Sequence, residues 1–316
     1  MKCNVLSRSI LTAALVLATA RAWQLPLPQS LALSRREMLA SAFVTIPVCA
    51  APQLAPAEEI NSSILVQLTG DAKKIFGEGR ALELQGNLMA AQRLYGKVTQ
   101  MAPNFVYGWS SLGNTQTAFG DLAAAEVSYT KSIDLCTQVD CSDQYVLYLN
   151  RGTIRLNTNR PAEALADLRL AATLRGRPDD IVLQNLARAC ELNGLYEEAD
   201  RNYDVAIRMT GNQVSPYWLR AAMVKFQLNE KQQGYDLLKR IENRFPDAPE
   251  VKAASAVFLA GTGKMVEAQQ KFLEISDRQR LKYVDQQYLT GTIAWPPAML
   301  SQLSKITQAV GDQVSI

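Results

Sequence analysis

Small and large side chains recur along the middle of this chain with a period longer than any single helix. Setting Ala91, Ala125, Ala164, Ala199, Gly234 and Ala268 in register gives spacings of 34, 39, 35, 35 and 34 residues. A second small residue stands twelve places upstream of each, at Gly79, Gly113, Gly152, Ala187, Ala222 and Ala256. Four places after Ala91 and its counterparts come Tyr95, Tyr129, Leu168, Tyr203, Leu238 and Phe272, one turn along the same helix face. Three further on stand Val98, Ser132, Ala171, Ala206, Ile241 and Ile275.

Two small residues per period mark where two helices approach closely, and the large ones fill the complementary places. The pattern predicts six helical hairpins over 72–105, 106–139, 145–178, 180–213, 215–248 and 249–282. Turn residues separate the helices within each: Gln85-Gly86-Asn87, Phe119-Gly120-Asp121, Asn159-Arg160-Pro161, Asn193-Gly194-Leu195, Asn229-Glu230 and Gly261-Thr262-Gly263. Pro103 and Pro246 end their hairpins, because proline cannot continue a helix. One unit alone cannot bury its apolar face, whereas stacked units share a continuous core. The competing reading is an ordinary bundle with accidental periodicity.

A five-residue expansion around Thr137 to Asp143 breaks the period after the second unit and predicts a loop. Residues 58–71 read as an N-terminal cap, with Ile64, Leu65 and Leu68 as its apolar side. Residues 283–316 read as a connector through Tyr288 to Thr292 and Trp295-Pro296-Pro297, then a last helix near Ala298 to Val310. A terminal repeat exposes an apolar face, so that helix is read as a cap in preference to a docking element.

The second unit reads Trp109-x-x-Leu112-Gly113, then Gly120-Asp121-Leu122, Ala125 and Tyr129. Through these positions it resembles the tetratricopeptide repeat (TPR) motif. The first unit lacks the tryptophan but keeps Gly79, Gly86, Ala91, Tyr95 and Pro103. The third keeps Gly152 and Ala164, and the fourth Gly194, Tyr196, Ala199, Tyr203 and Ala206. Units five and six depart further, with Gly234 in place of alanine and Lys231 at a normally apolar site. The resemblance implies an all-α fold: a right-handed, TPR-type superhelical solenoid of about six helix-turn-helix units with a C-terminal capping helix.

The resemblance also implies a concave groove, lined by the first helix of each hairpin, that takes an extended peptide or a helix of a partner protein. By position its candidate lining is Arg80, Tyr107, Asn114, Thr117, Asn157, Gln184, Arg188, Met223 and Phe226. Lys73, Phe76, Ser110, Thr153 and Glu191 stand beside them. Amides, arginines and aromatics suit backbone hydrogen bonding combined with side-chain pockets. Co-chaperones of this family capture a C-terminal carboxylate with lysines and asparagines. Asn114 matches one such position, but Phe76 and Arg80 stand where Lys and Asn are needed, so that clamp is incomplete.

Composition narrows the chemistry. The 316 residues contain no histidine, which removes the usual general base and the commonest metal ligand. Serine or cysteine machinery built on histidine is excluded, no cofactor or metal site is expected, and a non-catalytic role follows. Residues 1–57 carry five basic groups and one acid, leaving 28 basic and 29 acidic in the rest, a net of −1. A near-neutral body lacks the basic stripe that neutralises phosphates, so nucleic acid is not expected as a partner.

The basic N-terminus has its own logic. Lys2 and Arg8 precede an apolar run from Ile10 to Ala20, and Ala20-Arg21-Ala22 offers a small-residue cleavage site before Trp23. That order describes a signal peptide over 1–22, whose apolar run is too short to span a bilayer as a helix. Over 23–57, Arg35-Arg36 opens a twin-arginine pattern whose apolar segment, Met38 to Val48, leads to cleavage candidates at Ala50 or Ala57. Two signals in tandem resemble the leader of proteins from algae with secondary plastids, with Trp23 at the position where Phe is more usual. A disordered basic tail is the plainer alternative.

The resemblance implies delivery to the plastid, into the thylakoid lumen in preference to the stroma. In an oxidising lumen Cys136 and Cys141 could pair across the expansion loop, though two free thiols are the simpler reading. Cys190 falls on a helix-packing position. Repeat fold and address together suggest a scaffold that aids assembly, stability or repair of a photosynthetic membrane complex. No transmembrane segment is expected in the mature chain, so contact with such a complex would be peripheral. A chaperone adaptor or general peptide-binding module in stroma or lumen is the alternative.

Overall fold

The computed structural model describes residues 68–137, 141–211 and 213–314. The two predicted leader segments, with Ala20, Ala22, Trp23, Arg35, Arg36 and Ala57, lie outside the described residues, as do Ile64 and Leu65. Among the described residues there are fourteen α-helices and no strand. The first twelve pair into hairpins. Unit one is α1 (Gly70–Leu84) with α2 (Leu88–Met101), and unit two α3 (Val106–Ala118) with α4 (Leu122–Cys136). Unit three joins α5 (Gln144–Asn157) to α6 (Pro161–Arg175), and unit four α7 (Asp180–Leu192) to α8 (Tyr196–Thr210). Unit five is α9 (Tyr217–Gln227) with α10 (Lys231–Arg244), and unit six α11 (Pro249–Gly261) with α12 (Met265–Leu273). A short α13 (Asp277–Arg280) and α14 (Pro297–Val314) follow.

The six hairpin turns share one geometry. Gly86, Gly120, Asn159, Gly194, Asn229 and Gly263 all have positive φ, between 57° and 85°. Glycine and asparagine adopt that conformation at least cost, which is why they occupy the turns. In each case the next residue's N–H closes back onto a carbonyl five residues earlier, as Asn87 does to Leu82 at 2.8 Å and Leu195 to Cys190 at 2.9 Å. This closure satisfies carbonyls that a helix end would otherwise leave unpaired.

Between the turns, each second helix lays a large side chain on a small residue of the first. A Cβ added at Gly79 would come within 2.9 Å of the Tyr95 ring, at Gly113 within 3.0 Å of the Tyr129 ring, and at Gly152 within 2.8 Å of Leu168. These large residues are buried, and each contributes about 1.5–3 kcal/mol through the apolar surface it removes from water. The tyrosine hydroxyls keep partners: Tyr95 donates to Glu83 at 2.5 Å, Tyr129 to Asn114 at 2.7 Å and Tyr203 to Glu191 at 3.1 Å.

The expansion after unit two falls between the end of α4 at Cys136 and the start of α5 at Gln144, and a Cys136–Cys141 disulfide joins its sides with Cα atoms 5.6 Å apart. The simpler expectation of two free thiols is therefore corrected: at a sequence separation of 5 the two Cα atoms stand at disulfide distance. An ion network spans the same junction. Arg151 pairs with both oxygens of Asp167 at 2.9 and 2.8 Å, and Arg155 reaches Asp167 at 2.9 Å and Glu126 at 3.0 Å. Arg160 closes onto Glu126 as well. Cys190 is buried, with its thiol pushed up to about 12 by burial, so it fills space as an inert side chain.

Gly234 has a steric reason for departing from alanine. A Cβ there would meet the Ala222 carbonyl oxygen at 2.9 Å and the Phe258 ring at 2.8 Å, and the backbone oxygen cannot swing aside. Gly234→Ala is expected to destabilise by about 1–3 kcal/mol through overpacking. Gly77→Ala, where nothing lies within 4 Å, should stabilise by about 0.5–1 kcal/mol through helix propensity. Urea unfolding of the two variants checks both signs.

Candidate protein-binding groove

The first helices line one side of the stack. α5 touches α7, α7 touches α9, and α9 touches α11 directly. Along units two and three this side is polar without being charged. Helix α3, VYGWSSLGNTQTA, contains no acidic or basic residue. The two arginines of α5 are engaged with second-helix carboxylates, as described above. What remains is a row of hydroxyls and amides.

The predicted lining residues in this half lie on α1, α3, α5 and α7. Asn114 accepts from Tyr129 at 2.7 Å and from Asn150 at 3.4 Å, which leaves its own two N–H groups to donate outward. Ser110 and Thr117 hold their hydroxyls on the carbonyls of Tyr107 and Gly113. Tyr107 is half-buried, its phenol pushed up by burial, with its ring 5.8 Å from that of Phe105. Phe76 packs edge-on to Phe105 at 5.1 Å, so it serves the unit junction. Arg80, Lys73 and Asn157 are exposed, and Gln184 is half-buried. Thr153 is buried, bonding Leu149 and Asn185, and is not a lining residue.

In units four to six the same side is filled. Met223 is 0% exposed and Phe226 3%, and both belong to a core with Leu289, Ile293, Trp295, Met299, Leu303 and Ile306. Their assignment as partner contacts is corrected, because both are buried in that core, Phe226 with its ring 4.8 Å from that of Phe258. Helix α14 packs on α11 and α12, as a cap should, but also reaches α9 in the preceding unit. Arg188 is committed too, paired with Glu191 at 2.9 Å and reaching the Ile293 carbonyl at 3.5 Å.

A buried polar cluster anchors this segment. Arg220 pairs with Glu191 and donates to the carbonyls of Ile293 at 2.9 Å and Ala294 at 2.6 Å. Trp295 Nε1 donates to Glu250 at 3.2 Å, and the Ala298 N–H to Gln227 at 2.8 Å. Burial would raise the Glu191 carboxyl, but Arg220 and Arg188 together hold it below the usual carboxylate range. Burial prevails at Glu250 and pushes its carboxyl up, despite the attraction of Arg220. Sequence reasoning missed Arg220, Gln227, Glu250 and Trp295. The available signal was a charge set among apolar residues of α9, at Leu219-Arg220-Ala221, whereas Glu250, beside Lys252 in the first turn of α11, reads as an ordinary helix start.

No known family profile matches the sequence, and no curated protein matches it. Solved structures do share the fold. A tetratricopeptide repeat protein from Parabacteroides merdae ATCC 43184 aligns with a TM-score of 0.54 at 14% identity, over 76% of this chain and 100% of that one. MamA from Desulfovibrio magneticus RS-1 gives 0.50 at 14% identity, over 57% and 99%. A chain of the APC/C hetero-tetramer Cut9-Hcn1 gives 0.52 at 14% identity, over 74% of this chain and 42% of that one. At this identity the likeness is one of fold: a TPR-type solenoid, as the repeat pattern implies.

The two buried carboxylates titrate in opposite senses. A carboxyl raised on folding favours the folded state while protonated, and that contribution fades as pH rises through the raised value. A depressed one, such as Glu191, contributes above its unfolded value and is lost as pH falls. Glu250→Gln mimics the protonated form, so its advantage over the natural chain should grow between about pH 4.5 and pH 7.5. Urea unfolding at the two pH values measures it.

Proposed function

We propose that this protein is a non-catalytic interaction scaffold whose partner lies along the uncharged first-helix face of units two and three, as an extended peptide or a helix. The observation that carries the reading is the contrast between the two halves of one groove. The C-terminal half is apolar and filled by the chain itself. The N-terminal half is open and presents the hydroxyls of Ser110 and Thr117 with the amides of Asn114 and Asn157. Such groups recognise a partner's main chain, which is a chemistry of sequence-tolerant docking. One neighbour of this fold, the Cut9-Hcn1 chain, is part of a hetero-tetramer, in keeping with a scaffold.

The proposed setting is the plastid thylakoid lumen, and the proposed task is to aid assembly, stability or repair of a photosynthetic membrane complex through peripheral contact. The support is the tandem leader in residues 1–57 and the near-neutral body. A chaperone adaptor fits less well, because Phe76 is packed between aromatic rings where a carboxylate clamp needs a lysine.

Cross-linking and pull-down from isolated thylakoids with the full chain should recover subunits of a photosynthetic complex. Recovery of chaperones alone would overturn the assembly role. Because the docking face is uncharged, capture should persist as salt is raised from about 50 mM to about 500 mM. Ser110→Glu, which puts an uncompensated charge into that face, should reduce capture about tenfold or more. N-terminal sequencing of the mature protein should give a start beyond Arg36.

A further inference from the structure

The C-terminal segment sits in its half of the groove as a bound peptide does. Side chains of the array hold its backbone: Arg220 takes the carbonyls of Ile293 and Ala294, and Gln227 takes the N–H of Ala298. These bonds join residues 71 to 74 places apart in sequence. Its apolar residues then enter the groove at peptide-like and helical spacings, as Leu289, Ile293, Trp295, Met299, Leu303 and Ile306, all buried. The other face of α14 stays in solvent, with Ser301, Ser304, Lys305 and Gln308 exposed. An amphipathic helix laid by one face into an apolar groove is a recognised mode of partner binding.

Two further features distinguish the segment from a fixed layer of core. It is tethered through Val284, Asp285, Gln286 and Gln287, which are all exposed, so the connector has no packing of its own to break. Its docked backbone also carries a local cost. Ala294 has φ of 46°, a left-handed conformation that a residue with a Cβ adopts unfavourably, beside the carbonyl that Arg220 holds. Strain of this kind persists where surrounding contacts impose it, and ligand clamps are among the places it collects.

We infer that residues 285–310 are a resident ligand of the groove of units four to six, exchangeable for a segment of the same pattern offered by another molecule. The pattern is an aliphatic pair, a Trp-Pro step, and an amphipathic helix with apolar residues at the spacing of Met299, Leu303 and Ile306. The segment thereby excludes other chains from this half until it is released. The inference concerns units four to six and the chain's own peptide, so it stands or falls independently of any partner on units two and three.

The test uses the full chain and a fluorescein-labelled synthetic peptide of residues 285–311. Trp295→Ala removes the bond to Glu250 and the contact with Tyr283, and should raise peptide binding at least tenfold over the natural chain. A peptide with serine at the positions of Trp295 and Met299 should bind neither. Ala294→Gly relieves the left-handed strain and should lower binding of the labelled peptide severalfold below the natural chain. Hydrogen exchange on the natural chain gives a second readout. Amides of 289–306 should open together, at least tenfold faster than those of α11. Equal exchange in the two regions makes the segment a permanent core layer and overturns the inference. So does a folded Trp295→Ala chain that takes up no peptide. If Trp295→Ala does not fold, the exchange rates and Ala294→Gly decide.

Discussion

Everything in this molecule depends on how closely two helices of a hairpin can approach. The distance is set by one absent or minimal side chain on the first helix and one large side chain on the second, sixteen residues later. Where the pair is Gly79 with Tyr95 or Gly152 with Leu168, no room remains for a single added carbon. Fixing that approach fixes how the next hairpin meets it, and six repetitions build the solenoid. It also spends polar groups. The ring that fills each gap brings a hydroxyl, and the first helix must provide Glu83, Asn114 or Glu191 to receive it. Part of what looks like a binding face is therefore already committed to holding the hairpins shut.

That commitment differs along the array, and the difference produces an asymmetry between its two halves. In unit two the receiver is an asparagine, which accepts from Tyr129 and still has N–H groups to offer. In unit four it is Glu191, whose charge requires Arg188 and Arg220, and Arg220 in turn requires the carbonyls of Ile293 and Ala294. A buried ion pair missing one partner is strongly destabilising, so each member of this cluster recruits the next. The C-terminal segment is the last member recruited. One repeat motif thus yields an open polar face and a closed apolar one.

The fold was legible in the sequence because its determinants are local and periodic. Small residues at fixed offsets, Gly or Asn at the turns and prolines at the ends each state a constraint confined to some forty residues. The docking of the last segment was not legible, because its contacts join Arg220 to Ile293 and Glu250 to Trp295, with no repeat to propagate the signal. Met223 and Phe226 show the cost. Their positions on the first helices are those of groove residues, but apolar groove residues need a cover, and nothing local says that the cover is the chain itself. The Cys136–Cys141 pairing was open for a different reason: whether two nearby thiols pair depends on redox setting as well as on spacing. Gly234 looked like decay of the motif until the Ala222 carbonyl stood against it.

The connection between Arg220 and residues 293–294 changes how the array should come apart. In a plain solenoid each unit leans only on its neighbours, and the stack can fray from either end. Here the carboxyl-terminal segment is tied back across three units, so it must leave α7, α9 and α11 before any hairpin at that end can peel. The amino-terminal end has no such tie among the described residues. The molecule is mechanically polar: a zipper from one side and a clasp from the other.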